Sequence, residues 1–418
     1  MTVGGGVPDW ISVGVLASSV PRDAVDTAIA VTGRGVKRAG GKLPPHVMVY
    51  FAMALALFAE EDYEEVLTRL AGTLIAWGCW DPEWEIPTSG GITQARQRLG
   101  DEPLAELFAQ VAVPVAEEMT RGAFLGPWRL MSIDGFEWDT PDTPGNVAAF
   151  GYSGGTGDKA SAFPKARVVT LSECASHAVV AATIGGRDGG KRQAEQTLAR
   201  HLWPELEQDW LLIADRNFYS YQDWTAAADS GAALLWRLPS NVTTPVLREL
   251  EDGSYLSVLI SGTVRSTHRK TAIRDTVARD GADADLDPGE AVVIRVVEYT
   301  VPGRGEHPDE VIRVITTILD PADAPGELLA QAYHQRWEHE TGNKQLKTHL
   351  RGPGRVLRSK SPEMVRQEIY GYLLTHYALS ALICRAATEA DIDPDRVKFL
   401  RTVRLARRHI SGPAGFSP

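Results

Sequence analysis

Two short stretches of this chain are apolar almost throughout and end on an aspartate: Trp128-Arg-Leu-Met-Ser-Ile-Asp134 and Leu211-Leu-Ile-Ala-Asp215. Runs of this length without helical periodicity read as strands buried on both faces, each delivering its acid at the carboxy-terminal end. Between them, 166–173 and 178–184 read as two more strands joined by the tight Cys174-Ala-Ser-His177 connection, and a helical pattern covers 191–202. Three sequential strands, a helix and a fourth strand ending in an acid predict an α/β layer, a class of sheet that exposes its chemistry at strand ends.

The pattern differs on either side of this core. Residues 1–126 read as helical: 50–70 is an apolar-rich helix pair, and Gly91 to Gly100 followed by 103–118 has the cadence of a helix-turn-helix. In that reading Thr93, Gln94, Arg96 and Arg98 reach base edges or phosphates. The first part of the core occupies 127–239. A β-rich insertion follows over 240–321, with strand runs at 255–260 and 291–297, a basic stretch at 265–279 and an acidic exposed loop at 280–290. A core helix fills 322–360, and 361–418 is helical with a basic tail. There Ile369, Tyr372, Leu373, Tyr377, Ala381 and Cys384 form an apolar stripe that reads as intramolecular core.

The segment Tyr333-His-Gln-Arg336-Trp-Glu-His-Glu340-Thr-Gly-Asn-Lys344-Gln-Leu-Lys347 carries the most specific spacing. On an α-helix Tyr333, Arg336, Glu340, Lys344 and Lys347 fall within roughly 80°, while Ala332, Leu346 and Leu350 supply an adjacent packing stripe. An acid flanked by bases at one-turn spacing suits phosphoryl transfer, the acid holding a cation and the bases gripping phosphates. Glu338 falls off this face, and Trp337 reads as a packing residue at its flank. A lone Glu/Lys pair on a helix is ordinary surface decoration, and an acid at a strand end is often a helix cap. Asp139 and Asp142 sit among Thr and Pro and read as turn formers, and Glu137 has no counterpart in the other acidic motifs.

The order Y-x2-R-x3-E-x6-K resembles the signature around the last acid of the DDE transposases of the insertion-sequence-four family. Met131-Ser-Ile-Asp134-Gly-Phe, with Asp139 to Gly151, resembles that family's first-aspartate block, and Leu211 to Phe218 its second. The likeness covers nearly the whole chain. It implies a ribonuclease H-like core with an interrupting β-rich insertion, and catalysis by Asp134, Asp215 and Glu340 with two Mg²⁺ ions, or Mn²⁺ in their place. It further implies that Tyr333, Arg336 and Lys347 contact DNA phosphates, to which the helical spacing adds Lys344. The implied partners are double-stranded DNA, as terminal inverted repeats and as target, and a second copy on DNA, since two ends must be brought together. Relatives that pass through a DNA hairpin carry a Trp in the strand before the last catalytic helix; 311–319 here has none, which leaves the hairpin open. Trp236 reads as core. Competing readings are a catalytically silent DNA-binding descendant and a nuclease of the same fold without strand transfer.

Length and composition fit this picture: 418 residues with 44% hydrophobic content allow two or three domains with a full core. A formal net charge of −11 counts against DNA binding, but its distribution does not. Residues 331–360 carry seven Lys/Arg against two acids, and 396–411 carry six against none, with Arg401, Arg404, Arg407 and Arg408 at helical spacing. Cys79, Cys174 and Cys384 form neither a zinc motif nor a disulfide framework, so a reducing cytoplasm is the expected setting. The longest apolar run, 47–59, is too short to span a membrane. The glycine-rich stretches 151–157 and 185–192 approach phosphate-loop patterns without completing them and read as flexible turns, with Lys159, Lys165 and Arg167 as further candidates to approach DNA.

Overall fold

In a computed structural model, the structure describes residues 13–36, 42–76, 85–153, 161–186, 195–302 and 309–410. Cys79, Lys159, 154–157 and 187–192 lie outside them.

The strands are β1 (Phe124–Leu125), β2 (Trp128–Asp139), β3 (Lys165–Glu173), β4 (Val179–Gly185), β5 (Trp210–Ala214), β6 (Ala233–Arg237), β7 (Arg248–Glu249), β8 (Tyr255–Ile260), β9 (Ala291–Val301) and β10 (Glu310–Thr316). They form one sheet in the order β4-β3-β2-β5-β6-β10-β9-β8-β7, with β1 hairpinned onto β2. β3 returns antiparallel to β2 after a connection that holds the helix Pro144–Phe150, and a short turn brings β4 back antiparallel to β3, whereas β5 lies parallel to β2, and β6 to β5, because each is reached by a helical crossover. That arrangement of β4-β3-β2-β5-β6 is the ribonuclease H-like core. The strands of 240–321 extend the same sheet, since β10 pairs with β6 through Ile315 and Trp236.

One expectation needs correction. Asp134 is not the last residue of its strand: β2 runs on to Asp139 because β3 keeps pairing with it, from Asp134 opposite Thr170 to Asp139 opposite Lys165. β5, however, stops pairing at Ala214 opposite Ile133. Asp134 therefore sits where β2 loses one neighbour, which opens the sheet edge there. Asp139 is paired in the ladder and bound to Lys165 at 2.7 Å, so it is not a turn former; Asp142 accepts the Tyr152 hydroxyl.

The helices are α1 (Arg22–Val31), α2 (Pro45–Leu57), α3 (Tyr63–Ala76), α4 (Ser89–Leu99), α5 (Glu102–Val111), α6 (Pro144–Phe150), α7 (Glu195–Ala199), α8 (Tyr221–Ala228), α9 (Thr267–Asp280), α10 (Gly326–His334), α11 (Arg336–Lys344), α12 (Pro362–Glu389) and α13 (Phe399–Arg408). α5 is shorter than the apolar pattern over 103–118 predicts, because Pro114 cannot continue a helix. α2 is buried along nearly its whole length, as its unbroken apolar run requires, and crosses α12 so closely that a Cβ on Gly371 would lie 2.5 Å from the Ala52 carbonyl oxygen. The α12 stripe is core, as its periodicity predicts. This helical layer shares one apolar cluster with Phe136, Trp138, Ala166 and Val168 on one face of the sheet. Met131, Ile133, Val169 and Leu171 face the other side and pack against Leu198, Trp203 and Trp236. Alternation along β2 thus sends Ser132 and Asp134 to one face and Ile133 and Gly135 to the other.

The basic stretch at 265–279 is helical in α9, capped by Ser266, and Arg269 pairs with Glu290 from the acidic stretch that follows. Cys174 and Cys384 are buried free thiols. No helix among the described residues is long and apolar enough to cross a membrane.

Candidate active site

Asp134 and Asp215 each stand one residue beyond the last paired position of two parallel strands, Ile133 and Ala214. Neighbouring strands are about 4.8 Å apart, so the two carboxyl groups leave adjacent backbones at the same level. Burial pushes the Asp134 carboxyl above its ordinary range, and the Asp215 charge adds to this; the Gly135 backbone N–H, the Arg336 guanidinium and Asn343 oppose it.

The third acid is brought in by α11. His339 is buried, with its imidazole nitrogens 2.8 Å from the Ser132 hydroxyl and 2.9 Å from that of Thr170. Burial pushes its pKa down to about 3, so the ring is neutral and serves as a two-ended peg between β2 and β3. One turn later, the Asn343 amide donates to Asp134 at 2.9 Å. A second anchor lies on the next side of the helix. Glu338 and Asp395 both contact His177 Nε2, at 3.1 and 3.2 Å, and Gln345 meets its Nδ1 at 3.0 Å. Glu338 is therefore structural, consistent with its position off the basic face.

Glu340 projects beside Asn343 into solvent and accepts a hydrogen bond from Arg336 at 3.0 Å. Arg336 is largely covered, lies close enough to Asp215 to feel its charge, and has an Nε atom with no partner among the described residues. The Asp134, Asp215 and Glu340 oxygens do not all come within 4.8 Å of one another, unlike the trio His177, Glu338 and Asp395. That spacing does not prevent shared ions. Metal–oxygen bonds of about 2.1 Å and ions about 4 Å apart let ligands on opposite ions stand roughly 8 Å apart. Bringing Glu340 onto such an ion breaks its i,i+4 pair with the largely covered Arg336.

An all-oxygen donor set at an open sheet edge suits a hard divalent cation.

The predicted basic face is only partly continuous. The helix is interrupted at Gln335 between α10 and α11, and Gln345–Leu350 winds as a π-helix, whose wider turn rotates Lys347 to a half-buried position. Lys344 is exposed. Tyr333 is not on the surface: it is 4% exposed, and its hydroxyl, raised in pKa by burial, lies near Arg336 and Asp215 with no hydrogen-bond partner among the described residues. Trp337 is 55% exposed and stacks on the Arg336 guanidinium, contrary to the packing role read from the sequence. Trp236 is core, against Trp203 and Trp224.

Arg96 also departs from expectation. It is 3% exposed and donates to Gln367, Tyr63 and Ser359, fastening α4 to the carboxy-terminal helices, so it is not available to DNA. Arg98, Thr93 and Gln94 are exposed. On α13, Arg401, Arg404 and Arg408 are exposed, while Arg407 turns inward to the Leu57 carbonyl.

Sequence reasoning passed over His339, Asn343 and His177. The first two had a legible signal, a polar i,i+4 pair adjacent to Glu340; His177, in a tight turn, had none.

Residues 10–109 match the model of the insertion element 4 transposase N-terminal domain, and residues 128–377 match that of the transposase DDE domain. The chain is 27% identical over 384 residues to the transposase InsG for insertion sequence element IS4 of Escherichia coli K12, covering 90% of this chain and 78% of that relative. It is 25% identical over 227 residues to the putative transposase InsZ of the same organism, covering 54% of this chain and 71% of InsZ. A solved piggyBac transposase synaptic complex with hairpin DNA superposes with a TM-score of 0.47 at 8% identity, over 97% of this chain and 79% of that one. A DDE domain that fills more than half of the chain, preceded by the matching amino-terminal domain, makes this protein a member of the IS4 family of DDE transposases, enzymes that cleave and transfer DNA strands.

Proposed function

We propose that this transposase excises its insertion sequence and joins it to target DNA by two-metal-ion phosphoryl transfer at Asp134, Asp215 and Glu340. The observation that carries the reading is the adjacency of Asp134 and Asp215 at the parking place of α11, whose Asn343 holds Asp134. Two Mg²⁺ ions, or Mn²⁺, bound there would activate the attacking oxygen and neutralise the departing one. The three acids hold that charge at the sheet edge. Arg336 leaves Glu340 for a DNA phosphate, and Lys344 and Lys347 extend this grip along α11 and the turn after it. Tyr333 acts from within, its buried hydroxyl close enough to Arg336 and Asp215 to feel their charges.

In the same reading residues 1–126 bind the terminal inverted repeats through the exposed side of α4, at Thr93, Gln94 and Arg98. Arg401 and Arg404 track phosphates from α13. Two copies assemble on DNA, because each centre acts on one end at a time.

The test is product analysis. Full-length protein is incubated with labelled element ends, target DNA and Mg²⁺, and nicked, hairpinned and joined species are resolved. Joined product lost in Asp134→Asn, Asp215→Asn and Glu340→Gln, with end binding retained, is the expected result. Binding without cleavage by the wild type would point to a silent descendant, and cleavage without joining to a nuclease.

A further inference from the structure

Glu195 opens α7 on the sheet face opposite α11, yet its carboxylate rests against the residue that follows Asp134. A Cβ built on Gly135 would stand 2.0 Å from Glu195 Oε1, so only the missing side chain at that position lets the acid lie there. The second aspartate is close by the same helix: Gln196 donates to the Asn217 carbonyl in the turn that follows Asp215. Because β5 leaves β2 after Ala214, the sheet is open at this level, and groups from its two faces can meet around the strand end.

The Glu195 carboxyl lies close enough to Arg167, Asp134, Glu137 and Asp215 to feel the charge of each. Arg167 is itself engaged by Glu137 at 2.7 Å. Among the described residues no hydrogen bond or ion pair is made by the Glu195 carboxylate. Like charges gathered in this way, with no base paired to Glu195 among the described residues, form a donor set that suits a cation.

We propose that Glu195 is a fourth metal-holding carboxylate of the catalytic centre, reaching one ion from the α7 face while Glu340 reaches the other from the α11 face. This rests on the two-ion reading above. Asp134 and Asp215 lie between the two glutamates and serve both ions, and Gly135 is the positioning residue that gives Glu195 its place. Neither Glu195 nor Gly135 belongs to the three-acid pattern.

The experiment is a Mn²⁺ titration followed by electron paramagnetic resonance on full-length protein bound to a duplex of its element end, with melting temperature measured in metal-free buffer. Glu195→Gln is expected to weaken one of two ions by at least about tenfold, the lower bound seen when even outer partners of metal ligands are removed. Glu195→Asp should fall between it and the wild type. Gly135→Ala, which displaces the carboxylate without removing it, should reproduce the loss, and Glu137→Gln should not. Two ions held with wild-type affinity by Glu195→Gln, while Asp134→Asn loses them, would overturn the role of Glu195 and leave the aspartate pair standing. Wild-type binding by Asp134→Asn would bring down both.

Discussion

The Asn343 amide donates to Asp134 at 2.9 Å across the junction of α11 and β2. This bond ties the helix that carries Glu340 to the strand that carries the first aspartate. His339, pegged between Ser132 and Thr170, fixes the helix one turn earlier. The two contacts set the height and rotation of Glu340 relative to the aspartates.

Loss of the Asn343 amide should therefore cost catalysis more than folding. A hydrogen bond to a charged group is worth about 1.5–3 kcal/mol, so Asn343→Ala is expected to slow end cleavage by roughly tenfold to a hundredfold. End binding measured by gel shift should stay within about twofold. Cleavage at the wild-type rate would show that the contact does not orient Asp134.

The His177 cluster makes stability depend on pH. Burial alone would lower the His177 pKa, but hydrogen bonds and charge from Asp395 and Glu338 raise it from 6.5 to about 9. Gln345 faces its other nitrogen and bonds in turn to His376, which burial holds neutral with a pKa of about 3. Turning the Gln345 amide lets it accept from protonated His177 and donate to His376. A raised folded pKa gives stabilisation that is complete below about pH 6.5 and is lost as pH climbs through about 9. Melting curves should show this loss in the wild type and not in His177→Asn, a residue that tolerates the positive φ of 58° found there. Parallel pH profiles for the two proteins would contradict it.

Arg96 and Arg98 should behave oppositely. Arg96→Ala leaves Gln367 and Ser359 without their buried partner and should destabilise by about 1–3 kcal/mol in urea unfolding. Arg98→Ala should leave unfolding unchanged, weaken end binding and flatten its salt dependence by about one unit. An Arg96→Ala protein as stable as the wild type would remove its structural role.

These contrasts show what the sequence could convey. Apolar runs ending in Asp134 and Asp215 announced the strands, and the unbroken apolar run of α2 announced its burial, because those signals are local. The length of β2 was not legible, since it depends on how long β3 continues to pair beside it. Arg96 and Arg98 look alike in a helix, and only the arrival of α12, some 270 residues later, decides which one is covered. Glu195 was invisible for the same reason. Its meaning comes from Gly135, which lies two strands earlier.

Gly371→Ala tests the packing of α12 on α2. The added methyl would meet the Ala52 carbonyl oxygen at 2.5 Å, and overpacking of this kind costs about 1–3 kcal/mol. A lowered urea midpoint with unchanged slope is expected; an unchanged midpoint would mean the helices separate freely.

The central claim is that Asp134, Asp215 and Glu340 share a pair of divalent ions beside a DNA strand. Its most direct test is a crystal structure of the protein with an element end and Mn²⁺, read by anomalous scattering. The account predicts two peaks roughly 4 Å apart, both within bonding distance of Asp134 or Asp215, with Glu340 turned away from Arg336 onto one of them. Peaks elsewhere, or Glu340 still paired with Arg336 while cleavage-competent DNA is bound, would contradict it.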